Sequence, residues 1–374
     1  MESTGKKNQI QLSKETRNLL VDAGKGSWAV EREDKVVAKG KGEMATFWLK
    51  YRKAHSQHSG SSAHGESTDE GTHGFDDADF PDSFSLKTQR LIQWNAELLL
   101  QILKDIAERR QAHGVCPDAE DKLNAAEAAI VGDSCSVVNE LTDVIELPEF
   151  KSTKVKSGIV QPLHASVEPQ VIGFIKELYL LYRDNPFHNF EHASHVTMSV
   201  IKLLNRIAQA DDVGDANEAT LHEQTYGLTS DPLTQFVAVF SGLIHDADHQ
   251  GVPNATLVEE GASVAKLYHN RSPAEQQSVN CAWQVLQKDC YRELRRAIYC
   301  TTEELSRFRQ LLVSCVMATD IADKTLSTAR KQRWTIAFSG EQSSDKGSAS
   351  TARNRKATII LEHLIQASDV AHSK

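Results

Sequence analysis

The sequence predicts a mainly all-α protein carrying a small α+β segment at its N-terminus. Three observations lead there. From Pro169 onwards apolar residues recur at helical spacing in one segment after another, and no run alternates with period two. Before residue 54, short apolar stretches instead flank one helix and meet at glycines. Between these regions, residues 54–83 shift to Ser, Gly, His, Asp and Glu with few apolar side chains, the composition of a disordered linker.

Taken in order, residues 1–53 read as a short strand, a helix from Lys14 to about residue 23, and two strands joined at the glycines of Lys39-Gly40-Lys41-Gly42. Lys39, set among small residues, could reach a phosphate as a point charge. About fifty residues are too few to build an independent core, so this segment is expected to be a remnant of a larger domain. His55, His58, His64 and His73 of the linker have no carboxylate or cysteine at fixed spacing and read as solvated. Residues 84–167 form a helical connecting region. Within it, residues 86–111 read as a long amphipathic helix with Leu91, Leu98, Leu99, Ile102, Leu103 and Ile106 on one stripe, suited to docking on the next domain or to pairing with a second copy. An Asp/Glu/Ala-rich helix near 118–131, a short helix near 136–146 and a loop follow. Further helices are expected at 169–183, 187–208, 232–247, 259–269, 274–287, 303–320 and 355–368, with polar insertions at 211–223 and 339–352. No internal repeat is present.

Composition narrows the function classes. With 374 residues, 40% hydrophobic and 25% charged, the chain is long enough for about two globular domains. A net charge of −9 argues against nucleic-acid or anionic-membrane partners. Cys116, Cys135, Cys281, Cys290, Cys300 and Cys315 show no paired spacing and read as buried free thiols of a reducing compartment. No apolar run reaches membrane-spanning length and no signal peptide is evident, so the chain is expected in the cytoplasm, with any membrane attachment of the parent protein lying upstream.

The chemistry concentrates in two histidine clusters and a late aspartate. His188, His192 and His195 are spaced i, i+4 and i+7, so on one helix they would share a face. His245-Asp246-x-x-His249 follows the apolar run 236–244, and Asp369 follows the apolar stretch 359–365. Three converging helices would offer two imidazoles and two carboxylates, a mixed set suited to zinc. A harder second ion, Mg²⁺ or Mn²⁺, would share a carboxylate. Two such ions suit phosphodiester hydrolysis, activating a water and clamping the phosphoryl oxygens, while a histidine beside them protonates the leaving alkoxide.

His188-Asn189-Phe190-Glu191-His192-Ala193 and His245-Asp246-Ala247-Asp248-His249-Gln250-Gly251-Val252-Pro253-Asn254 resemble the signatures of class I 3′,5′-cyclic-nucleotide phosphodiesterases, as do Ala318-Thr319-Asp320 and Ala367-Ser368-Asp369. The resemblance runs from about Glu168 to the end. It implies a helical metal-dependent phosphohydrolase (HD-type) domain over 168–374, with cyclic nucleotide as substrate. It further implies His188 as general acid, His192, His245, Asp246 and Asp369 as ligands of the first metal, and Asp246 as a bridge to the second. His188, Asp246 and Asp369 would contact substrate, while His249, Glu275 and Thr319 would orient waters around the ions. His195 stands where the family commonly has Asp, and Ala247 where a larger apolar residue is usual. The family's sequence continues past the Asp369 motif to a purine-binding glutamine and a stacking aromatic. The expectation is therefore a C-terminally truncated domain, active weakly and with little choice between cAMP and cGMP.

At the other end, Met1-Glu2-Ser3-Thr4-Gly5, the stretch 10–16 and the stretch 37–49 resemble the tail of a class III nucleotide cyclase, nearest the guanylate type. Lys39 then matches the lysine that contacts the triphosphate. The cyclase's metal-binding aspartates have no counterpart here, so residues 1–53 are expected to be catalytically inert. A homodimer through the 86–111 helix or the cyclase segment fits this architecture. Rival readings are an active cyclase, an inactive or regulatory fragment of a fused cyclase–phosphodiesterase, and a di-iron oxygenase. The last favours Glu-x-x-His pairs, which do not accompany these clusters.

Overall fold

The computed structural model describes residues 11–22, 29–32, 34, 36–38, 42–49, 84–132, 136–150, 162–208, 218–338 and 346–371. The chain divides into two units, Met1–Gly74 and Phe75–Lys374. Lys39, Cys135, and the four linker histidines lie outside the described residues.

The first unit holds β1 (Gln11–Ser13), α1 (Lys14–Asp22), β2 (Ala29–Glu31), β3 (Val36–Ala38), β4 (Gly42–Met44) and β5 (Thr46–Leu49). Antiparallel β5 lies between β1 and β2, with Trp48 opposite both Gln11 and Val30, and β3 pairs with β4 as a separate ladder. The expected strand, helix and glycine-joined strands are present. β2, three residues long, is too short to show a period in the sequence, and β5 completes a sheet through partners distant in the chain.

The second unit contains no strand among its described residues. α2 (Leu86–His113) starts at the Ser85 cap, whose hydroxyl accepts from the Thr88 amide, and ends at Gly114 in the left-handed conformation. Its buried stripe of Ile92, Ala96, Leu99, Leu103 and Ile106 packs against α4 (Val167–Leu181) and α7 (Pro232–Ile244), so the stripe is used within the chain. Arg110 then closes the far end, bonding Glu304 and the carbonyls of Ala297 (2.8 Å) and Ile298 (2.7 Å). After α3 (Glu120–Gly132), only a 3₁₀ turn over Val137–Glu140 forms where a helix at 136–146 was expected. The chain extends from Leu141, and Gln310 and Thr358 take up its amides at Glu146 and Ile145.

α7 is apolar on every side, which a helix can sustain only when surrounded. Asp231 caps it, Pro232 opens it, and every residue from Leu233 to Ile244 except Gln235 is buried. α5 (Phe190–Ala208), α12 (Thr302–Met317) and α2 enclose it, with Phe236, Phe240, Phe174 and Phe308 in ring contact. This rigid centre ends at the candidate site. The remaining helices are α6 (Glu218–Gln224), α8 (Asn254–Glu259), α9 (Ser263–Leu267), α10 (Pro273–Leu286), α11 (Arg292–Ile298), α13 (Lys324–Phe338) and α14 (Lys346–Val370).

Several expected boundaries are corrected. The helix placed at 259–269 is shorter, α9 alone, because Gly261 with φ of +61° separates it from α8, which ends at Glu259. α6 occupies part of the expected insertion 211–223, and α14 starts inside the insertion 339–352. Five of the six cysteines are described and are free. Cys300 and Cys315 are buried, whereas Cys116 and Cys290 are exposed and Cys281 lies between, so burial is not general. Among the described residues no helix is long and apolar enough to cross a membrane.

Candidate metal centre

Three helix ends deliver the candidate ligands. α5 begins after Asn189, whose side-chain oxygen accepts from the His192 amide at 3.0 Å as an N-cap. His188 therefore precedes the helix. The shared helical face expected for His188, His192 and His195 does not form, because the cap falls between the first two. His192 sits in the first turn and is 2% exposed. His245 and Asp246 leave the C-terminal end of α7, both buried. Asp369 comes from the last turn of α14.

Their ligating atoms converge. His192 Nε2 lies 3.0 Å from Asp369 Oδ1 and 3.5 Å from Asp246 Oδ2, and His245 Nε2 lies 3.2 Å from Asp246 Oδ2 and 3.5 Å from Asp369 Oδ1. His245 Nδ1 is 3.0 Å from the Gly242 carbonyl, which can only accept, so that nitrogen carries the proton and a neutral ring turns its Nε2 lone pair to the centre. His245 Nε2 and Asp246 Oδ2 are buried without a hydrogen bond of good geometry. Two carboxylates and two imidazoles crowded in this way fit a divalent cation.

The charges respond accordingly. Burial opposes a proton on His245, but Asp246 and Asp369 outweigh it and hold its pKa well above the usual imidazole range. Burial also opposes ionisation of Asp369, yet the bonds from His192 and His245 keep that carboxylate well below its ordinary value. Asp246 is lowered too, burial again being overcome by His245. In the metal-free site a proton thus supplies the positive charge that these buried anions demand.

A second cluster shares Asp246. Ligand atoms of His188, Asp246 and His249 lie within 4.8 Å of one another, as do those of His192, His245 and Asp246. The His188 and His249 rings stack at 3.8 Å. His249 Nδ1 accepts from the Gly251 amide at 3.0 Å, which leaves Nε2–H of the neutral ring as a donor rather than a ligand. Burial pushes its pKa down to about 4, so it is neutral at physiological pH. Burial lowers His188 as well, partly offset by Asp246.

The surrounding residues are tied together by Asn254, whose Nδ2 donates to Glu275 (2.8 Å) and Asp320 (3.1 Å) and whose oxygen accepts from the Ala274 amide. Burial, with Asp320 adding repulsion, lifts Glu275 from 4.5 to about 7. Thr319 spends its hydroxyl on the Val316 carbonyl at 2.8 Å. His195 lies apart, lining a cavity of about 510 Å³ with Lys87, Arg90, Trp94 and Met198. Sequence reasoning assigned no role to Asn254, to Asn185, or to Phe187, whose ring lies 4.4 Å from His192 and 4.9 Å from His188. Asn254 closes one of the quoted motifs, whereas Asn185 and Phe187 lie just before His188, where the turn-forming Asp184-Asn185-Pro186 was the available signal.

Glu275 gives a pH-dependent test. Its folded pKa is raised, so its contribution to stability is full below the unfolded value near 4.5 and is lost as pH rises through about 7. Glu275→Gln keeps the protonated shape and should remove that loss. Urea unfolding of the metal-free protein at about pH 5 and about pH 8 should show a smaller decline for the variant than for the natural chain. Equal declines would mean that Glu275 ionises normally in the fold.

Residues 187–374 match the model of the 3′5′-cyclic nucleotide phosphodiesterase family, and residues 1–51 match that of the adenylate and guanylate cyclase catalytic domain. The human dual specificity calcium/calmodulin-dependent 3′,5′-cyclic nucleotide phosphodiesterase 1C is 31% identical over 169 residues, covering 43% of this chain and 21% of that protein. The cGMP-specific 3′,5′-cGMP phosphodiesterase 3 of Dictyostelium discoideum is 25% identical over 166 residues, covering 44% and 31%. Among solved structures, the phosphodiesterase domain of Salpingoeca rosetta rhodopsin phosphodiesterase overlaps 55% of this chain and 56% of that one, at 19% identity and a TM-score of 0.41. The chain thus spans about a fifth to a third of the length of these curated relatives. The family match contains every candidate ligand, and the chain belongs to the 3′5′-cyclic nucleotide phosphodiesterase family.

Proposed function

We propose that the chain hydrolyses 3′,5′-cyclic nucleotide, cAMP and/or cGMP, to the 5′-monophosphate. His192, His245, Asp246 and Asp369 would hold Zn²⁺, and Asp246 would also serve a second ion, Mg²⁺ or Mn²⁺. One observation carries the reading: two imidazoles and two carboxylates meet at 3.0–3.5 Å from three helix ends, and Asp246 belongs to both clusters. Bound there, the ions supply an activated water and charge stabilisation for the phosphoryl oxygens. His188 holds the proton for the leaving 3′ oxygen. Burial disfavours that proton, but the phosphodiester anion favours it, so substrate binding itself arms the acid. His249, neutral and donating from Nε2, orients oxygen ligands beside it, and Glu275 and Thr319 complete the surroundings.

One relative is named for dual specificity and another for cGMP, so the proposal includes both nucleotides. The cyclase match over residues 1–51 supports a fused cyclase–phosphodiesterase, cytoplasmic where its substrate is, and a regulatory role is the second reading. Incubating the purified chain with cAMP or cGMP and Mg²⁺ or Mn²⁺ should yield 5′-AMP or 5′-GMP, and a chelator should abolish this until metal is returned. A fully metalated chain that turns over neither nucleotide would favour the regulatory role.

A further inference from the structure

The loop before α5 and the loop after α7 are joined by one side chain, that of Asn185. Its Nδ2 donates to the His188 carbonyl at 2.8 Å and to the His249 carbonyl at 3.3 Å. Its Oδ1 accepts from the Phe187 amide at 3.3 Å, and its own carbonyl accepts from Asn189, the residue that caps α5. Opposite it, Gly251 turns the second loop with φ of +79°, and a Cβ built there would come 3.6 Å from the Asn185 side chain. The two residues whose carbonyls Asn185 holds are the two whose rings stack at 3.8 Å beside Asp246.

Among the described residues the same two loops are also tied at Arg183, which follows α4, but that tie stands away from His188. The second loop is anchored on its far side by Asp248, in the left-handed region at φ +63°, which bonds Arg183 (2.7 Å) and Gln277 (2.8 Å) and whose amide donates to Leu181 (3.1 Å). Those bonds fix the second loop to Arg183 of the first loop, to the end of α4 and to α10, but do not touch His188. The first loop is set on α5 through Asn189 and reaches α7 at its start, where the Tyr182 hydroxyl donates to the Leu243 carbonyl at 2.8 Å. Among the described residues, it is through Asn185 that the backbones of His188 and His249 share a hydrogen-bond donor.

We propose that Asn185 is a positioning residue that clasps the two loops, so that His188 and His249 keep one fixed relation beside Asp246. The catalytic part of this inference rests on His188 acting as the acid; the clasp itself does not. Asn185 touches neither ligand nor reacting atom by this account. It sets where the His188 ring stands, because a ring carried by a loop residue outside the helix has no helical backbone to hold it. Proton transfer is sensitive to such placement, since the donor must lie within hydrogen-bond reach of the leaving oxygen.

Asn185→Asp keeps the side chain's shape, removes both donors and turns an anion on two carbonyl oxygens, and Asn185→Ala removes the clasp altogether. Hydrogen exchange of the full chain should quicken by roughly tenfold or more in segments 186–190 and 247–251 together in either variant, as expected when two hydrogen bonds are lost. Exchange in segment 236–243 of α7 should stay unchanged. Loosening of one loop alone, of neither, or of α7 as well would overturn the clasp. In the second arm, cyclic-nucleotide turnover is measured for Asn185→Ala, His188→Ala and the double variant. If Asn185 works through His188, its loss adds less than about twofold once His188 is gone, whereas independent, multiplying losses would overturn the positioning role. If no variant, and not the natural chain, hydrolyses the nucleotide, the phosphodiesterase reading fails, while the exchange result still decides the clasp.

Discussion

Asp246→Asn should empty both metal positions, while His195→Ala should keep a nearly normal metal content. Asp246 is the residue common to both side-chain clusters, and its Oδ2 is within 3.5 Å of His192 Nε2 and 3.2 Å of His245 Nε2. The amide that replaces it carries no charge, so each position loses an anion at once. The remaining anion, Asp369, already has both histidines against it and cannot serve two ions. Loss of an outer partner of a metal site costs roughly 10–100-fold in affinity, and loss of a shared ligand should exceed that. His195 follows His192 by three residues yet faces the cavity beside α2, with Trp94 and Met198 among its neighbours. Elemental analysis after dialysis separates the two variants. If both retained the same metal, the assignment of Asp246 as the shared ligand would be wrong.

What the sequence discloses about this site follows from the kind of interaction involved. The grouping of His192, His245, Asp246 and Asp369 could be read because histidine and carboxylate side chains are chemically distinctive and each adjoins an apolar helix. The same helices bring His192 and Asp369, 177 residues apart, to 3.0 Å. Asn185 could not be read, since its partners are carbonyl oxygens that every residue possesses. The helical placement of His188 failed over a competition between caps. Asp184-Asn185-Pro186 offers a plausible helix start, but the Asn189 side chain takes the His192 amide and the helix starts one turn later. α13 was missed because only Leu326 and Arg333 are buried on it, so it has no apolar stripe to detect. Its anchor is electrostatic: Arg333 bonds Glu362 of α14 at 2.6 and 2.7 Å, a pairing that needs the tertiary fold to exist.

His188→Ala should leave metal and substrate binding nearly intact and lower kcat by roughly 10²–10⁴-fold, the usual worth of a general acid. The first half of that expectation comes from position. His188 lies outside α5, half-buried, with its ring stacked on His249 rather than among the four candidate ligand atoms that meet at 3.0–3.5 Å. Removing it leaves His192, His245, Asp246 and Asp369 in place. The second half comes from the leaving group, since a 3′ alkoxide departs slowly unless it is protonated as the bond to phosphorus breaks. An activated aryl phosphodiester, whose phenolate leaves without a proton, separates this role from simple binding. On that substrate His188→Ala should recover most of the lost rate, because only the proton has been removed from the mechanism. A purely structural or metal-binding role predicts the same proportional loss on both substrates. Equal losses, or a variant that no longer holds its metal, would assign His188 to a different task.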